Sequence, residues 1–512
     1  MNQTKTDYTP YCLVILTALF ALPLTLVLSQ ALGLGIPLMV VLMAATVLGL
    51  GWLCFGPLTD FVLSHGLSKK LIRFAAISVF AAGLTVGGVS LFIADVEQDR
   101  FVWHHHKDFG IKHNCFTCYA MAAYCDRDGH GNVYDTKTLS KPAEAEITKT
   151  LDKRFNVDAY PYPPPFLLVH RGLLAFSEDF MVLRRMWYLV VIGMLLAAIV
   201  LTATWCGAFR RNSALLFLPA LLLAPTALTA LQIQNVHPVV IASALLGMMA
   251  LTRHKNLGGS LLLAFAILCK IWPAVLLVPL FFARKWSAII STLLAVVSFV
   301  LVSLLVFGTG IFEDFISYQL PRLANGEAFG FMAKHAGAMT ANTSIFGFWH
   351  KLYATGILAG DPPSLLNPIL SWTYLLAAAG LIIWSARSSR RLYGIAFKDT
   401  DAGQKARLML LIQWLAVMNL AQLRSPFLPW PYGVLSTLWL TLALAALAHG
   451  KTRLLAIGGF IYFSLYIPFG FASQNVNFAY GMIGTILIAS FASYALIRLG
   501  RSRANAGEMG SN

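Results

Sequence analysis

The sequence predicts an all-α polytopic membrane protein, a bundle of about 12–14 transmembrane helices with two large outward-facing loops. Composition is the first reason: of 512 residues, 58% are hydrophobic and only 12% are charged, with a mean hydropathy of +0.70. The second is that apolar stretches of roughly 20 residues, the length that crosses a bilayer, recur along the chain. The third is an uneven distribution of basic residues between the connecting segments.

Most of the apolar stretches are predicted to cross the bilayer completely. Full spans are predicted at 11–31, 35–55, 72–95, 185–207, 213–231, 237–252, 287–308, 366–386, 407–423, 432–448, 452–470 and 477–497. The segment 258–283 lies between two basic clusters and is too short for two crossings. A re-entrant helical hairpin with Lys270 near its tip is predicted there, because irregular backbone at membrane depth persists only inside protein.

The net charge of +16 is interpreted as a topology signal. Basic clusters such as Lys69-Lys70, Arg210-Arg211 and Arg284-Lys285 fall on one predicted side, which the positive-inside rule makes cytoplasmic, together with both termini. Nucleic acid is therefore not an expected partner. The apolar region that begins at Tyr11 continues beyond the length of a signal-peptide core and is treated as the first span.

These features divide the chain into six segments. They are N-terminal transmembrane helices (1–95), an outward-facing loop of catalytic type (96–185), a transmembrane core (186–308) with the hairpin 258–283, a second outward-facing loop (309–365), C-terminal transmembrane helices (366–497) and a cytoplasmic tail (498–512). Loops longer than about 15 residues in a compact protein are usually functional or disordered. Two of them on one side predict a roof over a cavity.

Polar residues at membrane depth provide the first indication of function. The step QIQNVH, which contains Gln234, Asn235 and His237, and the lone Lys270 interrupt otherwise apolar segments. Amides and an ammonium group cost several kcal/mol at such depth unless they meet a partner or a water-filled cavity. They predict a receptor for an anionic group, with Lys270 as its principal cation. The alternatives are that Lys270 extends to an interface and that the amides cap helix ends.

Five segments, in this order, resemble glycosyltransferase family 87, over roughly residues 70–497. They are Gly131-Asn132-Val133-Tyr134-Asp135 with the Tyr-Pro run at 160–165; Gln234-Asn235 with the following span; Gly258 to Trp286 with Lys270 and Pro273; Asn342-Thr343-Ser344-Ile345-Phe346-Gly347; and Ser425-Pro426-Phe427-Leu428-Pro429-Trp430-Pro431-Tyr432. Their common order and their shared predicted side of the membrane carry the resemblance.

The resemblance implies a multi-spanning, inverting glycosyltransferase of GT-C architecture. Its donor would be a polyprenyl-phosphate-linked sugar, with mannose favoured, and its acceptor a lipid or glycan on the outer face of a bacterial cytoplasmic membrane. Such an enzyme needs one base for the acceptor hydroxyl and cations or amides to hold the departing phosphate. Beyond donor, acceptor and membrane lipids, no cofactor, metal or partner subunit is predicted.

For the base, Asp108 in Lys107-Asp108-Phe109-Gly110 is favoured, with Asp126 and Asp128 as alternatives; all three also fit solvated loop carboxylates. Asp126-Arg127-Asp128 matches the metal-binding acidic pair of nucleotide-sugar transferases, but no Rossmann-like domain accompanies it. Members of the family usually place an Asp four or five residues before a Tyr that precedes two alanines. Counting back from Tyr119 reaches Asn114 or Cys115, so the sequence departs from the family at this position.

Further residues complete the predicted site. Arg424 is a second candidate for the donor phosphate, and Tyr119, Tyr134, Tyr162 and Asn342 are predicted to line the substrate loops. Cys115, Cys118 and Cys125 share the first outward loop, where a disulfide, a zinc set with nearby histidines and free thiols all remain open. The family's usual His near Trp430 is absent, and Pro431-Tyr432 stands in its place.

The alternative function is a multi-spanning transporter or flippase for an anionic or lipid-linked substrate, with Lys270 at its mid-membrane site. A non-catalytic scaffold for envelope assembly is a further possibility. Transporters commonly carry broken helices at matching positions of two halves. The sequence shows one such segment, and large loops on one side favour an enzyme.

Overall fold

The computed structural model of the chain describes residues 69–102, 107–139, 155–206, 221–222, 224–360, 367–398, 400–447 and 473–507. Within these ranges every regular element is helical, and the only β-type pairings are two isolated bridges. The protein is therefore an all-α polytopic membrane protein, and the predicted fold class is confirmed. The predicted spans 11–31, 35–55 and 452–470 lie outside the described residues.

The helices are numbered here in chain order. They are α1 Lys69–Ala94, α2 Lys107–Lys112, α3 Phe116–Asp128, α4 Pro164–Leu174, α5 Phe180–Trp205, α6 Pro225–Gln232, α7 His237–Thr252, α8 Asn256–Cys269, α9 Leu277–Phe282, α10 Trp286–Phe307, α11 Gly310–Asp314, α12 Leu320–Ala324, α13 Phe331–Lys334, α14 Ala336–Ala341, α15 Ile345–Ala354, α16 Pro368–Ala386, α17 Ser389–Ala396, α18 Asp401–Leu423, α19 Trp430–Gly433, α20 Leu435–Leu447 and α21 Gln474–Gly507. Short 3₁₀ turns lie at Asp99–Phe101, Trp272–Leu276 and Glu327–Phe329, and a π-helical turn lies at Phe315–Gln319.

Five of the described helices are long and apolar enough to cross a membrane, namely α5, α10, α16, α18 and α21. A sixth crossing results if α6 and α7 count as one span bent by 106°. Helix α5 begins before the predicted start at 185, because Asp179 caps it. The Asp179 carboxylate accepts hydrogen bonds from the backbone N–H groups of Met181 and Val182.

Burial separates the central helix from those that face lipid. In its apolar window, α18 is 83% buried, whereas α10 is 17% buried. Leu293, Val297 and Leu305 of α10 are all more than half exposed, as expected for side chains in contact with hydrocarbon. Helix α18 therefore lies at the centre of the described bundle and α10 at its periphery.

The segment that contains Lys270 leaves one side of the bundle and returns to it. At the start of α8, Asn256 Nδ2 donates to Ser287 Oγ at 2.8 Å, and Ser260 and Ser291 form a hydroxyl hydrogen bond of 2.6 Å. Both partners lie in the first turns of α10, so the chain between α8 and α10 folds back on itself. Lys270 occupies the tip in an extended conformation, directly after α8 ends.

Helices α7 and α8 cross at two glycines. A Cβ atom at Gly247 would lie 2.9 Å from both the carbonyl oxygen of Gly259 and the backbone nitrogen of Leu263. Small residues at such crossings let helix backbones approach closely inside a membrane. This contact fixes the hairpin against the helix that begins at His237.

We expect Gly247→Ala to lower the stability of the protein by roughly 1–3 kcal/mol, because the added methyl group meets backbone that cannot yield. The unfolding temperature in detergent measures the effect. Gly258→Ala is the matched control, since a Cβ there meets nothing within 4 Å. Equal unfolding temperatures for the two variants would contradict the close crossing.

Candidate functional site

The break between α6 and α7 is the centre of the site. The polar step that was singled out in the sequence forms this break, and Gln234 adopts a left-handed conformation there, with φ of +56°. A residue with a side chain rarely adopts this conformation unless its surroundings determine it. Asn235 Oδ1 then accepts from the N–H of His237 at 2.9 Å, which starts α7 together with Pro238.

Two side chains and one backbone carbonyl hold Gln234 in place. Asn114 Nδ2 donates to Gln234 Oε1 at 3.2 Å, and Gln234 Nε2 donates to the backbone carbonyl of Arg184 at 2.7 Å. The indole of Trp187 donates to the backbone carbonyl of Gln234 at 2.9 Å. Both ends of the Gln234 amide are thus occupied by protein. Its observed role is to join the first loop, α5 and the α6–α7 break.

The first outward loop is packed against the same break. The N–H of Cys115 donates to the carbonyl of Ile233 at 2.8 Å, and Tyr119 OH accepts from the N–H of Val236 at 3.2 Å. Tyr119 and Tyr162 share a hydroxyl hydrogen bond of 3.1 Å, and both are buried. The predicted substrate-lining tyrosines of this segment therefore lie beside the predicted phosphate-binding step.

A chain of polar side chains runs from this break towards the surface. Asn235 Nδ2 donates to Cys115 Sγ at 3.2 Å, and Cys115 Sγ lies 3.8 Å from His113 Nε2. On the other side of the imidazole, His113 Nδ1 lies 3.3 Å from Asp158 Oδ1. Burial alone would lower the pKa of His113, but the Asp158 carboxylate raises it, and the net pKa lies well above 6.5.

Lys270 lies close to the inner end of this chain. It is near enough to His237 and to Cys115 to interact with both electrostatically. The His237 ring lies against Trp272, with ring centroids 5.3 Å apart. Lys270, His237, Asn235 and Cys115 are therefore gathered where the hairpin tip meets the α6–α7 break.

The structure does not bring the carboxylates predicted as base to this place. The Asp108 side chain is 91% exposed and forms an ion pair with Lys112 at 3.8 Å. Asp126 pairs with Arg171 at 3.3 Å and Asp128 with Arg127 at 2.6 Å. Both lie at the far end of α3, about 15 and 18 Å along the helix axis from its first residue. Asp108 and Asp128 sit in ion pairs at the surface, whereas the Asp126 side chain is only 14% exposed in its pair with Arg171.

Two other predicted residues also lie apart. Arg424 is exposed at the C-terminal end of α18. Tyr134 is buried, with its ring against Tyr160 and Phe315, and burial raises its pKa. Neither makes a described contact with Lys270.

Asn342 has a structural environment of its own. Its Oδ1 accepts from the N–H groups of Ser344 and Leu428, at 3.1 and 2.9 Å, and its Nδ2 donates to the carbonyl of Pro426 at 3.1 Å. Thr343 Oγ1 adds a bond of 2.8 Å to the carbonyl of Leu428. Buried hydrogen bonds thus connect the two segments, 342–347 and 425–432, that resemble the family.

Lys351 supports this junction from the second loop. It is fully buried, and its Nζ donates to the carbonyl of Asn342 at 2.6 Å, beside Gly481 of α21. Burial lowers the pKa of Lys351 from 10.5 to about 7. In the sequence, Lys351 is one lysine in a mostly apolar segment, a pattern that does not by itself indicate burial.

The three cysteines of the first loop are free thiols, so of the three alternatives the disulfide is not formed. Cys118 Sγ donates to the carbonyl of Cys115 at 3.1 Å, and Cys125 Sγ turns towards the carbonyl of Thr138. Successive positions on α3 point the thiols in different directions, so none faces another.

His113, Cys115 and Asp158 offer ligand atoms within 4.8 Å of one another, which is a possible metal group among the described residues. His113 faces Cys115 with Nε2 and Asp158 with Nδ1. An ion would take only one of these nitrogens, together with the Cys115 sulfur and one Asp158 oxygen, and the spacing of these atoms is compatible with a metal site.

Asp158 was missed in the sequence. It lies far from Cys115 along the chain, in the extended segment that leads into the Tyr-Pro run, and an isolated bridge between His113 and Asn156 brings it close. Its Oδ2 is buried without a hydrogen-bond partner among the described residues. A carboxylate next to an aromatic, proline-rich segment is the signal that could have identified it.

The comparisons with known proteins give one match. Residues 160–399 match the family model described as Glycosyltransferase family 87, a range that includes the α6–α7 break, the hairpin and Asn342. No curated protein and no solved structure matches the chain. The resemblance seen in the sequence is thereby confirmed.

We expect Gln234→Ala to destabilise the protein by about 1–3 kcal/mol, because it leaves Asn114 and the Arg184 carbonyl without their partners. Gln234→Gly loses the same bonds but relieves the left-handed strain, so its unfolding temperature in detergent should lie between those of wild type and Gln234→Ala. A Gln234→Ala protein as stable as wild type would refute the clamp.

The buried amine predicts a pH-dependent stability. Between pH 7 and about 10 the unfolded chain keeps the Lys351 proton that the folded chain has lost, so stability should rise with pH in this window. Unfolding temperatures in detergent should show this slope in wild type and in Lys255→Met, an exposed control. Lys351→Met should lack this contribution, and an identical slope would exclude Lys351 as its source.

Proposed function

We propose that the protein is a glycosyltransferase whose donor is a polyprenyl-phosphate-linked sugar, a proposal supported by the match of residues 160–399 to glycosyltransferase family 87. The transferred group is a hexosyl group, with mannosyl favoured by the resemblance. The acceptor is a lipid or glycan on the outer face of the membrane. The reaction inverts the anomeric centre.

The observation that carries this proposal is the position of Lys270. Its ammonium group lies at the tip of a re-entrant hairpin, within electrostatic range of His237 and Cys115. A cation at such a place is retained for a charged partner, since its desolvation is costly. A departing lipid phosphate is such a partner. The Asn235 amide and His237 belong to the same cluster as Lys270 and could donate hydrogen bonds to it.

The hairpin tip is also open to a lipid-linked donor. Ile271, next to Lys270, is 69% exposed, and Leu257 and Leu261 at the start of the same hairpin are exposed as well. Helix α10, which packs against α8, presents its apolar face to hydrocarbon. A polyprenyl tail can therefore lie along this surface while its phosphate reaches Lys270.

The division of the chain between loops and spans supports an enzyme more than a transporter. In the described part of the first loop, α3 and α4 pack on α5, and Tyr119 bonds to the α6–α7 break. Such packing favours a fixed position for the acceptor. Orientation towards the outer face is inferred from the distribution of basic residues.

We expect Lys270→Met to raise the apparent KM for a polyprenyl-phosphate sugar about 10- to 150-fold. This factor corresponds to the free energy that a hydrogen bond to a charged group usually contributes to binding. Purified full-length protein in lipid nanodiscs, supplied with radiolabelled polyprenyl-phosphate mannose and a membrane lipid extract as acceptor, provides the assay. Lys255→Met, exposed and outside the site, is the matched control.

Two results would contradict the proposal. Transfer that is unchanged in Lys270→Met would remove Lys270 from the donor site. Movement of the labelled lipid between the leaflets of proteoliposomes, with no labelled product, would show a flippase instead.

A further inference from the structure

Two segments of the first outward loop bring three side chains of metal-ligating type together. His113 and Cys115 lie just before α3, and Asp158 lies in the extended segment that leads towards α4. Their candidate ligand atoms, one from each residue, all lie within 4.8 Å of one another. Around tetrahedral zinc, bond lengths of about 2.0–2.3 Å place neighbouring ligand atoms roughly 3.3–3.8 Å apart. The side chains therefore need to move by on the order of 1 Å to close around an ion.

Contacts outside the three side chains fix the two segments relative to each other. His113 forms an isolated bridge with Asn156, and the Asn156 N–H donates to the carbonyl of Lys112 at 2.9 Å. Thr117 Oγ1 accepts from the N–H of Asp158 at 3.2 Å and lies 3.1 Å from the carbonyl oxygen of Asn156. The spacing of the three side chains is thus held by neighbouring hydrogen bonds, as is usual for the ligands of a metal.

One carboxylate oxygen of Asp158 is left over from these contacts. Oδ1 lies 3.3 Å from His113 Nδ1, whereas Oδ2 is buried and has no hydrogen-bond partner within the part of the chain that the structure describes. A buried polar atom without a partner is costly, and a bound ion is one of the groups that can satisfy it. The orphaned oxygen therefore points to an ion independently of the spacing.

The sulfur of Cys115 is supported from the α6–α7 break. Asn235 Oδ1 accepts from the backbone N–H of His237 at 2.9 Å, so Nδ2 is the end of the amide that faces Cys115 Sγ, at 3.2 Å. Lys270 adds a positive charge within electrostatic range of Cys115. An N–H donor and a nearby cation both favour a sulfur that serves as a negatively charged ligand.

We propose that His113, Cys115 and Asp158 bind a zinc ion, which joins the two segments of the first outward loop. The thiolate and the carboxylate offset the two positive charges of the ion, and one imidazole nitrogen completes the set. Thiolate and imidazole ligands suit zinc, whereas magnesium and calcium take oxygen ligands. Three protein ligands leave the fourth position of the tetrahedron for water.

The site is accessible to an ion, and binding balances in protons. The side chains of His113 and Asp158 are 24% and 27% exposed, so zinc can enter from solvent. The thiol proton of Cys115, and the proton on the His113 nitrogen that binds the ion, leave to water. The site does not depend on the proposed glycosyltransferase function.

Metal analysis of the full-length protein tests the proposal. Protein without an affinity tag is purified in detergent, incubated with zinc chloride and dialysed against metal-free buffer. Wild type should retain about one zinc ion per chain by inductively coupled plasma mass spectrometry. Cys115→Ser and Asp158→Asn should each lose the ion. Cys125→Ser is the matched control and should retain it, because that thiol turns towards the carbonyl of Thr138.

Cobalt(II) in place of zinc reports on the ligands themselves. Wild type should show the visible bands of tetrahedral cobalt and the near-ultraviolet charge-transfer band of a thiolate ligand. Cys115→His supplies a different zinc ligand, so it should keep the tetrahedral bands and lose the charge-transfer band. A variant that still binds the ion is folded, and the comparison therefore separates a ligand role from a loss of structure.

Unfolding temperatures in detergent provide an independent measurement. Zinc should raise the unfolding temperature of wild type and leave that of Asp158→Asn unchanged, because only the folded chain assembles the ligands. A wild type that retains no zinc, or a Cys115→Ser protein that retains as much as wild type, would overturn the proposal. Cobalt bound without the charge-transfer band would do the same. None of these measurements uses sugar transfer, so a negative result leaves the proposed function standing.

Discussion

The left-handed turn at Gln234 is the constraint on which the rest of the site depends. It lies in the break where the chain bends by 106° between α6 and α7, and the start of α7 at His237 is buried inside the bundle. Such a turn persists because the Gln234 amide and carbonyl are all bonded to Asn114, Arg184 and Trp187. Unsatisfied, each of these buried groups would cost about 1–3 kcal/mol. The bond from Asn114 also connects the first loop to the break, so the turn and this part of the loop form one unit.

The second predicted outward loop (309–365) contains a similar junction, in which side chains satisfy buried backbone groups. Asn342 satisfies backbone groups of Leu428 and Pro426, and Lys351 satisfies the Asn342 carbonyl. Irregular backbone is tolerated at or near membrane depth only when protein groups replace water as partners. The amides that interrupt the apolar segments therefore serve two purposes. Gln234 and Asn342 hold irregular backbone, while Asn235 still turns its Nδ2 towards the site.

The sequence was sufficient for the fold class and for locating the polar step and Lys270 among apolar segments, because the cost of polar groups among apolar residues is a local property. It was insufficient for the base. Asp108 is acidic and lies in the first outward loop, but the structure places its side chain on the surface. The sequence alone does not distinguish a surface carboxylate from one in the site. The neighbourhood of Cys115 and Asp158 depends on a tertiary contact between distant segments, which no local pattern encodes. The free thiols could not be predicted for a similar reason. The direction in which each thiol points depends on its position around α3 and on how α3 packs.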